Sequence, residues 1–376
     1  YMKKVVIAID SFKGCLPSAE AGKAAAEGIR SVYPECEVIC LPIADGGEGM
    51  LDVLIMATNG QEVPISAHDP LMRWRNTYYG ISENGETAFI EMASISGLPL
   101  VPPERRNPML TTTYGTGEII RDALERGCRN FIIGIGGSAT NDAGLGMLQA
   151  LGFRFSDKEG KEVGTGRGEV LIKVAHIDST CVHPALNSCR FTVACDVQNP
   201  FYGPEGAAYV FAPQKGADRE MVEALDAGLQ NFAEVIRHTT GKDISHHPGA
   251  GAAGGMGGSL LAFLNAELKP GIQLMLEALN FSNKIKSADL IITGEGKADR
   301  QTLMGKVPSG ILAEARKQNI PVILLAGNIE DSDELQQAGF EGVFSVNPPF
   351  ISLEEAMRPE VARKNIQQTV ESICKK

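Results

Sequence analysis

The chain has 376 residues, 43% apolar and 22% charged, and its 35 Lys and Arg against 46 Asp and Glu leave a net charge of −11. That is the composition of an ordinary folded protein. With no basic run longer than two residues it offers no counterion-releasing face for nucleic acid, and no stretch is long and apolar enough to span a bilayer as a helix. Glycine is the outlier, 42 of 376 residues without a Gly-X-Y period, so the excess must sit at particular places.

The run at 5–9 is continuously apolar, as in a strand buried on both faces. A helix is predicted over 19–32 with Ser18 as its N-cap, then a strand over 37–41 and a helix over 50–57. The segments 74–80 and 87–91 flank Glu83-Asn84-Gly85, a hairpin signal. Helix 116–126, strand 130–135 and helix 141–151 follow. A glycine-rich stretch over 160–168 precedes strand 191–195 and helix 221–238. Strands at 289–293, 322–326 and 343–346 then alternate with helices at 310–318, 333–338 and from 353, where Ser352 and Glu355 have capping-box spacing. The alternation predicts an α/β protein. The two ends resemble each other more than the middle, so one domain is expected from 1–65 with 285–376 and a second, inserted, from 66–284.

Apolar length at 5–9 is too short for a signal-peptide core, and eight cysteines without a Cys-x-x-Cys read as cytoplasmic thiols. The histidines show no zinc-ligand spacing.

Acid, at most places together with glycine, concentrates where predicted strands end. Asp10-Ser11-Phe12-Lys13-Gly14, Ala44-Asp45-Gly46-Gly47-Glu48-Gly49, Asp196-Val197-Gln198-Asn199-Pro200 and Gly294-Glu295-Gly296-Lys297-Ala298-Asp299 are four such ends. Open α/β sheets bind ligands there. Bare glycine amides suit phosphate, while carboxylates suit Mg²⁺ or a transferred proton. A fifth end, Gly134-Ile135-Gly136-Gly137-Ser138-Ala139-Thr140-Asn141-Asp142, contains the form of a dinucleotide fingerprint, with Asp157 near the place of a ribose-binding acid. Asp142 would repel a pyrophosphate on the same turn, and Ser138, Thr140 and Asp142 suit phosphate with a metal better. The cluster 249–258 is either an anion loop or a close helix contact.

Eight blocks in order give the chain a family likeness: Asp-Ser-Phe-Lys-Gly (10–14), Ala-Asp-Gly-Gly-Glu-Gly (44–49), Gly-Thr-Gly-Glu (115–118), the 134–142 loop, Asp-Val-x-Asn-Pro (196–200), Pro-Gln-Lys-Gly-Ala (213–217), Gly-Ala-Ala-Gly-Gly (251–255) and Thr-Gly-Glu-Gly-x-x-Asp-x-Gln-Thr (293–302). Together they resemble the bacterial type-1 glycerate kinase family over essentially the whole chain. The resemblance implies two α/β domains: a flavodoxin-like one formed by both termini, and an inserted one similar to restriction endonucleases with a small α+β extension. It implies ATP-dependent phosphorylation of D-glycerate to 2-phosphoglycerate, with 3-phosphoglycerate left open, in the cleft between the domains.

On that basis Asp10, Lys13, Asp45 and Asp196 are the expected catalytic residues, with Asp10 or Asp196 as the base. Asp45, Asp196, Glu295 and Asp299 are the expected Mg²⁺ ligands. Arg105 or Arg106, with Glu48, would hold the glycerate. Gly136, Gly137, Ser138, Thr140, Gly254, Gly255 and Lys306 would hold the ATP phosphates. A hydroxyacid dehydrogenase using NAD(P), a non-enzymatic small-acid sensor and a kinase for another hydroxy acid are the alternatives. No nucleic acid or membrane partner is expected, and a homo-oligomer is left open.

Overall fold

A computed structural model describes residues 1–376. In chain order the strands are β1 Lys4–Ile9, β2 Glu37–Cys40, β3 Gln61–His68, β4 Trp74–Ile81, β5 Thr87–Glu91, β6 Asn130–Gly134, β7 Arg154–Ser156, β8 His176–Asp178, β9 Arg190–Ala194, β10 Glu267–Lys269, β11 Leu290–Ala298, β12 Val322–Ile329 and β13 Gly342–Ser345. The protein is mixed α/β and divides into two compact units, Tyr1–Val53 with Gly271–Lys376, and Leu54–Pro270.

In the first unit five strands form a fully parallel sheet in the order β13-β12-β11-β1-β2. Numbered within the unit alone this is 2-1-3-4-5, the flavodoxin-like order, and the direction of winding reverses between β1 and β11. The apolar run of β1 is buried throughout, because helices cover both faces of the sheet. On one face Val5, Ile7 and Ile9 pack into a core shared with helices Ser18–Val32 and Pro359–Cys374. Those helices approach so closely that a Cβ on Gly28 would lie 2.7 Å from the Gln367 carbonyl. Helix Val307–Arg316 lies against β11, β12 and β1.

Two local expectations change here. Pro17, not Ser18, is the N-cap residue of the first helix. Ser18 Oγ instead donates to the Ile9 carbonyl (2.5 Å) and accepts from the Ile43 amide (2.9 Å), tying the end of β1 to the loop after β2. At Ser352 the cap does form, with Oγ accepting from the Glu355 amide, but its helix is only Leu353–Ala356.

The second unit has a six-stranded mixed sheet in the order β10-β9-β6-β5-β4-β3. β5, β6, β9 and β10 are parallel, and β4 and β3 extend the edge antiparallel. Asn84-Gly85 forms the turn between β4 and β5, with the Ser82 amide donating to the Thr87 carbonyl. β3 is not among the predicted strands. It carries Pro64, which an edge strand tolerates, and it pairs with β4 along its whole length. That pairing puts β3 in the second unit. Helix Gly271–Ala278 goes with the first, because Ile272 and Leu276 lie against Gly310. The units therefore divide at 53/54 and 270/271, where sequence drew 65/66 and 284/285.

The predicted helix over 141–151 is shorter, Leu145–Ala150. Ala143 and Gly144 are left-handed (φ 51° and 73°), and the Asp142 side chain takes the Gly144 and Gly146 amides. The glycines of 160–168 have structural uses. A Cβ on Gly166 would lie 2.5 Å from the Gly146 amide, and one on Gly168 would lie 2.3 Å from the Pro108 carbonyl.

Candidate active site

The first unit gathers carboxylates at the carboxyl ends of its strands, around the β1/β11 reversal point. Asp10 follows β1, Asp45 follows β2 and Glu295 lies in β11. Burial pushes the Asp10 carboxyl up to about 7, helped by the Asp45 and Glu295 charges and opposed by the Ser11 amide and by Lys306. The Ser11 amide reaches Asp10 Oδ1 at 2.7 Å. Glu295 is buried, and this burial raises its carboxyl, with Asp299 and Asp45 adding to the effect. The hydroxyl of the fully buried Thr302 donates to Glu295 Oε1, and Lys306 also favours its charged form. Asp10, Asp45, Glu295, Asp299 and Lys306 thus act on one another electrostatically within one unit.

Local structure explains these placements. Asp45 Oδ1 accepts from the Gly47 amide at 3.1 Å, which shapes the acidic glycine turn. Asp299 caps the short 3-10 helix Arg300–Leu303: its Oδ1 accepts from the Gln301 amide (2.8 Å), and its own amide donates to Thr302 Oγ1 (3.0 Å). One Asp299 oxygen is therefore committed to the chain. Lys306 sits at the N-cap position of helix Val307–Arg316. Lys297 pairs outward with Glu330 at 3.1 Å, while Lys13 and Glu48 lie exposed. Thr302 was not singled out as a site residue, although it ends the 293–302 block; only the fold reveals that it steers Glu295.

Mg²⁺ binds through one or two carboxylates, with substrate oxygens and water completing its shell. No group of three or more His, Cys, Asp or Glu stands ready as a metal cage. Glu295, with raised proton affinity, and the neighbouring Asp45 charge fit a cation that arrives with phosphate. Asp45 and Glu295 are the residues here that would hold it.

The second unit carries the 134–142 turn. Gly136 and Gly137 are exposed at its tip, and a Cβ on Gly136 would meet nothing within 4 Å. Gly137 needs its glycine, with φ at 75°. The turn is pinned from several sides: the Leu98 amide donates to the Gly137 carbonyl, the Ala139 amide to Ser96, and Thr111 Oγ1 to the Ala139 carbonyl. Ser138 Oγ accepts from Lys215 Nζ at 2.9 Å, and the Thr140 carbonyl takes the same ammonium at 2.6 Å. Lys215 is buried, and that burial pushes it down to about 7 against the pull of Asp142. The 213–217 block pointed toward this residue, but sequence could not show where its side chain went.

Asp142 has a different role from the one sequence suggested. Fully buried, it accepts from the Thr113 amide (2.9 Å), Thr113 Oγ1 (2.8 Å), the Gly144 amide (3.0 Å) and the Gly146 amide (3.1 Å). Burial still raises its carboxyl; the four bonds oppose that. With its oxygens spent on the chain, Asp142 builds the turn and is not a metal ligand. The same geometry removes the dinucleotide fingerprint, because no helix opens at 136–139 to receive a pyrophosphate. Asp157, its proposed ribose partner, caps its own turn through the Glu159 and Lys161 amides.

The second glycine cluster is a close contact. Gly254 and Gly255 are left-handed, and a Cβ on Gly254 would lie 2.0 Å from the Thr140 carbonyl. The Ala143 amide donates to the Gly254 carbonyl at 3.0 Å, so this cluster buttresses the 134–142 turn from within. Elsewhere in the unit Asp196 and Arg105 are exposed, and Arg106 donates to the Val101 carbonyl at 3.1 Å.

The sequence pattern of the glycerate kinase family matches residues 5–376. The chain belongs to the glycerate kinase family. It is 48% identical over 356 residues to a glycerate 2-kinase of Escherichia coli K12, covering 94% of this chain and 93% of that protein. A glycerate kinase of Bacillus subtilis 168 is 46% identical over 372 residues, 99% of this chain and 97% of the relative. Among solved structures, a candidate glycerate kinase 2 from Salmonella typhimurium LT2 matches with a TM-score of 0.91 at 43% identity, covering 100% of this chain and 98% of that one. Family membership leaves the dehydrogenase and sensor alternatives without support. No helix is long and apolar enough to cross a membrane, and all eight cysteines are free thiols.

Proposed function

We propose that the chain transfers the γ-phosphoryl group of ATP to the 2-hydroxyl of D-glycerate, giving 2-phosphoglycerate, in the cytoplasm. The observation that carries the mechanism is Asp10, a carboxylate at the reversal point of a flavodoxin-like sheet, pushed up to about 7 by burial and neighbouring acid. A base acts best when its proton affinity lies near the working pH. Asp10 would take the hydroxyl proton as the oxygen attacks phosphorus, and the neighbouring carboxylates keep it basic.

Phosphoryl transfer otherwise asks for positioning and charge stabilisation. The exposed Gly136-Gly137 tip and Ser138 suit phosphate, and Lys306 supplies a cation beside Asp10 and Glu295. Bound at Asp45 and Glu295, Mg²⁺ would neutralise phosphate charge. Arg105, exposed, is our choice for the glycerate carboxylate; Arg106 already spends its Nε on a backbone carbonyl.

ADP release coupled to a reporter, measured with glycerate, lactate, tartronate and erythronate, tests the substrate. Turnover should be largest with D-glycerate, and NMR of the product should place phosphorus on O2. Equal turnover across the four acids, or phosphorus on O3, would reject the substrate or the regiochemistry respectively.

A further inference from the structure

Lys215 takes no part in the chemistry described above, yet it is the buried cation of the second unit. It is 6% exposed and reaches the turn from beneath with two short contacts, to Ser138 Oγ (2.9 Å) and to the Thr140 carbonyl (2.6 Å). An ammonium has three donors, and burying one is costly unless something answers its charge. Asp142 attracts it electrostatically, but the Asp142 oxygens are bonded to Thr113, Gly144 and Gly146. The short charge-assisted bond to Ser138 Oγ occupies a lone pair and leaves the hydroxyl proton available to another acceptor.

A second observation at the same turn is independent of the lysine. Thr140 and Asn141 are fully buried, and Thr140 Oγ1, Asn141 Nδ2 and Asn141 Oδ1 have no partner in the chain. Buried polar groups in folded proteins are nearly always satisfied. Three such atoms within two consecutive residues, beside a buried ammonium and under an exposed glycine tip, describe a polar site built for more than holding the turn closed. The amides of Gly137 and Ser138 likewise find no carbonyl of the chain.

We propose that Lys215 is a positioning residue for polyphosphate: from beneath the 136–141 turn it orients the Ser138 hydroxyl and places an ammonium group behind the amides that meet a nucleotide's phosphates. This rests on the reading that phosphate lies on this turn. An approaching polyanion adds to the opposite charge that Asp142 already provides. Binding should therefore strengthen with the number of phosphates.

The test compares binding of ATP, ADP, inorganic tripolyphosphate and adenosine to the full chain by calorimetry, with thermal unfolding of each ligand-free variant alongside. Lys215→Met, similar in length and uncharged, should weaken ATP and tripolyphosphate by about tenfold or more and ADP by less. Adenosine should be unchanged, and the loss should shrink at high salt. An equal loss for adenosine and ATP would mean the lysine only holds the fold, and would overturn the proposal; so would unchanged ATP affinity in a normally folded variant. Should Lys215→Met not fold, Ser138→Ala decides: a loss for ATP but not adenosine supports the proposal, and no loss overturns it. Gly136→Trp, at a tip with open space, separates the two readings. If it abolishes ATP binding while Lys215→Met does not, phosphate lies on the turn and the lysine is irrelevant. If neither affects ATP, phosphate lies elsewhere and both readings fall.

Discussion

Gly254→Ala and Gly136→Ala form a matched pair that tests whether the second glycine cluster packs or binds. At Gly254 the backbone is left-handed, φ 66°, and an added Cβ would stand 2.0 Å from the Thr140 carbonyl oxygen and 2.6 Å from Asn141 Cα. The left-handed backbone alone costs an L-residue about 1–2 kcal/mol, and forcing a methyl against a packed backbone adds about 1–3 kcal/mol. Gly254→Ala should therefore destabilise the second unit by about 2–5 kcal/mol, a melting-point drop on the order of 10 °C. Gly136→Ala meets nothing within 4 Å and should stay within about 0.5 kcal/mol of the parent. Differential scanning calorimetry of both variants without ligand reads the contrast. If Gly254→Ala melts within about 2 °C of the parent and loses only ATP affinity, the contact geometry is wrong and the cluster is a ligand loop after all.

Four further outcomes follow from the structure. Asp10 has a folded value of about 7 against an ordinary 3.8, so the native state holds its proton longer than the unfolded chain, and its contribution to stability is lost as pH rises from about 4 through about 7. Asp10→Asn should thus gain stability over the parent at pH 8 by at most about 4 kcal/mol and gain nothing near pH 4, as urea titrations at the two pH values would show. The same variant should lose the limb of the kcat/KM profile that rises through about pH 7, with turnover down about a hundredfold or more. Asp142→Ala strands four buried donors at Thr113, Gly144 and Gly146 and should cost about 3–5 kcal/mol, with Asp142→Asn costing less, measured by urea unfolding. Met72 stands at φ 61° in the turn closed by Asp69, so Met72→Gly should stabilise the protein by about 1 kcal/mol of relieved strain, read as a higher melting point.

What the sequence determined by itself was local or cumulative. Continuous apolar runs such as 5–9 read as two-sided strands, Asn84-Gly85 read as a turn, and carboxylates followed strand ends, because backbone preference and burial period are written in neighbouring residues. The ordered blocks, 10–14 through 293–302, carried the family. Sequence did not reveal β3, whose existence depends on pairing with β4 and whose Pro64 speaks against a strand in isolation. Nor did it show that Ser18 would leave its cap to bridge Ile9 and Ile43, or that Gly254 would be pressed against Thr140. By position along the chain Asp142, like Asp10, Asp45 and Glu295, suited a phosphate-and-metal site. Tertiary structure separated them: burial with a single donor raises the proton affinity of Asp10, whereas four donors tie the buried Asp142 into the scaffold. A side chain's chemistry is set by what surrounds it, and those surroundings come from segments tens to hundreds of residues away, as when Lys215 reaches Ser138.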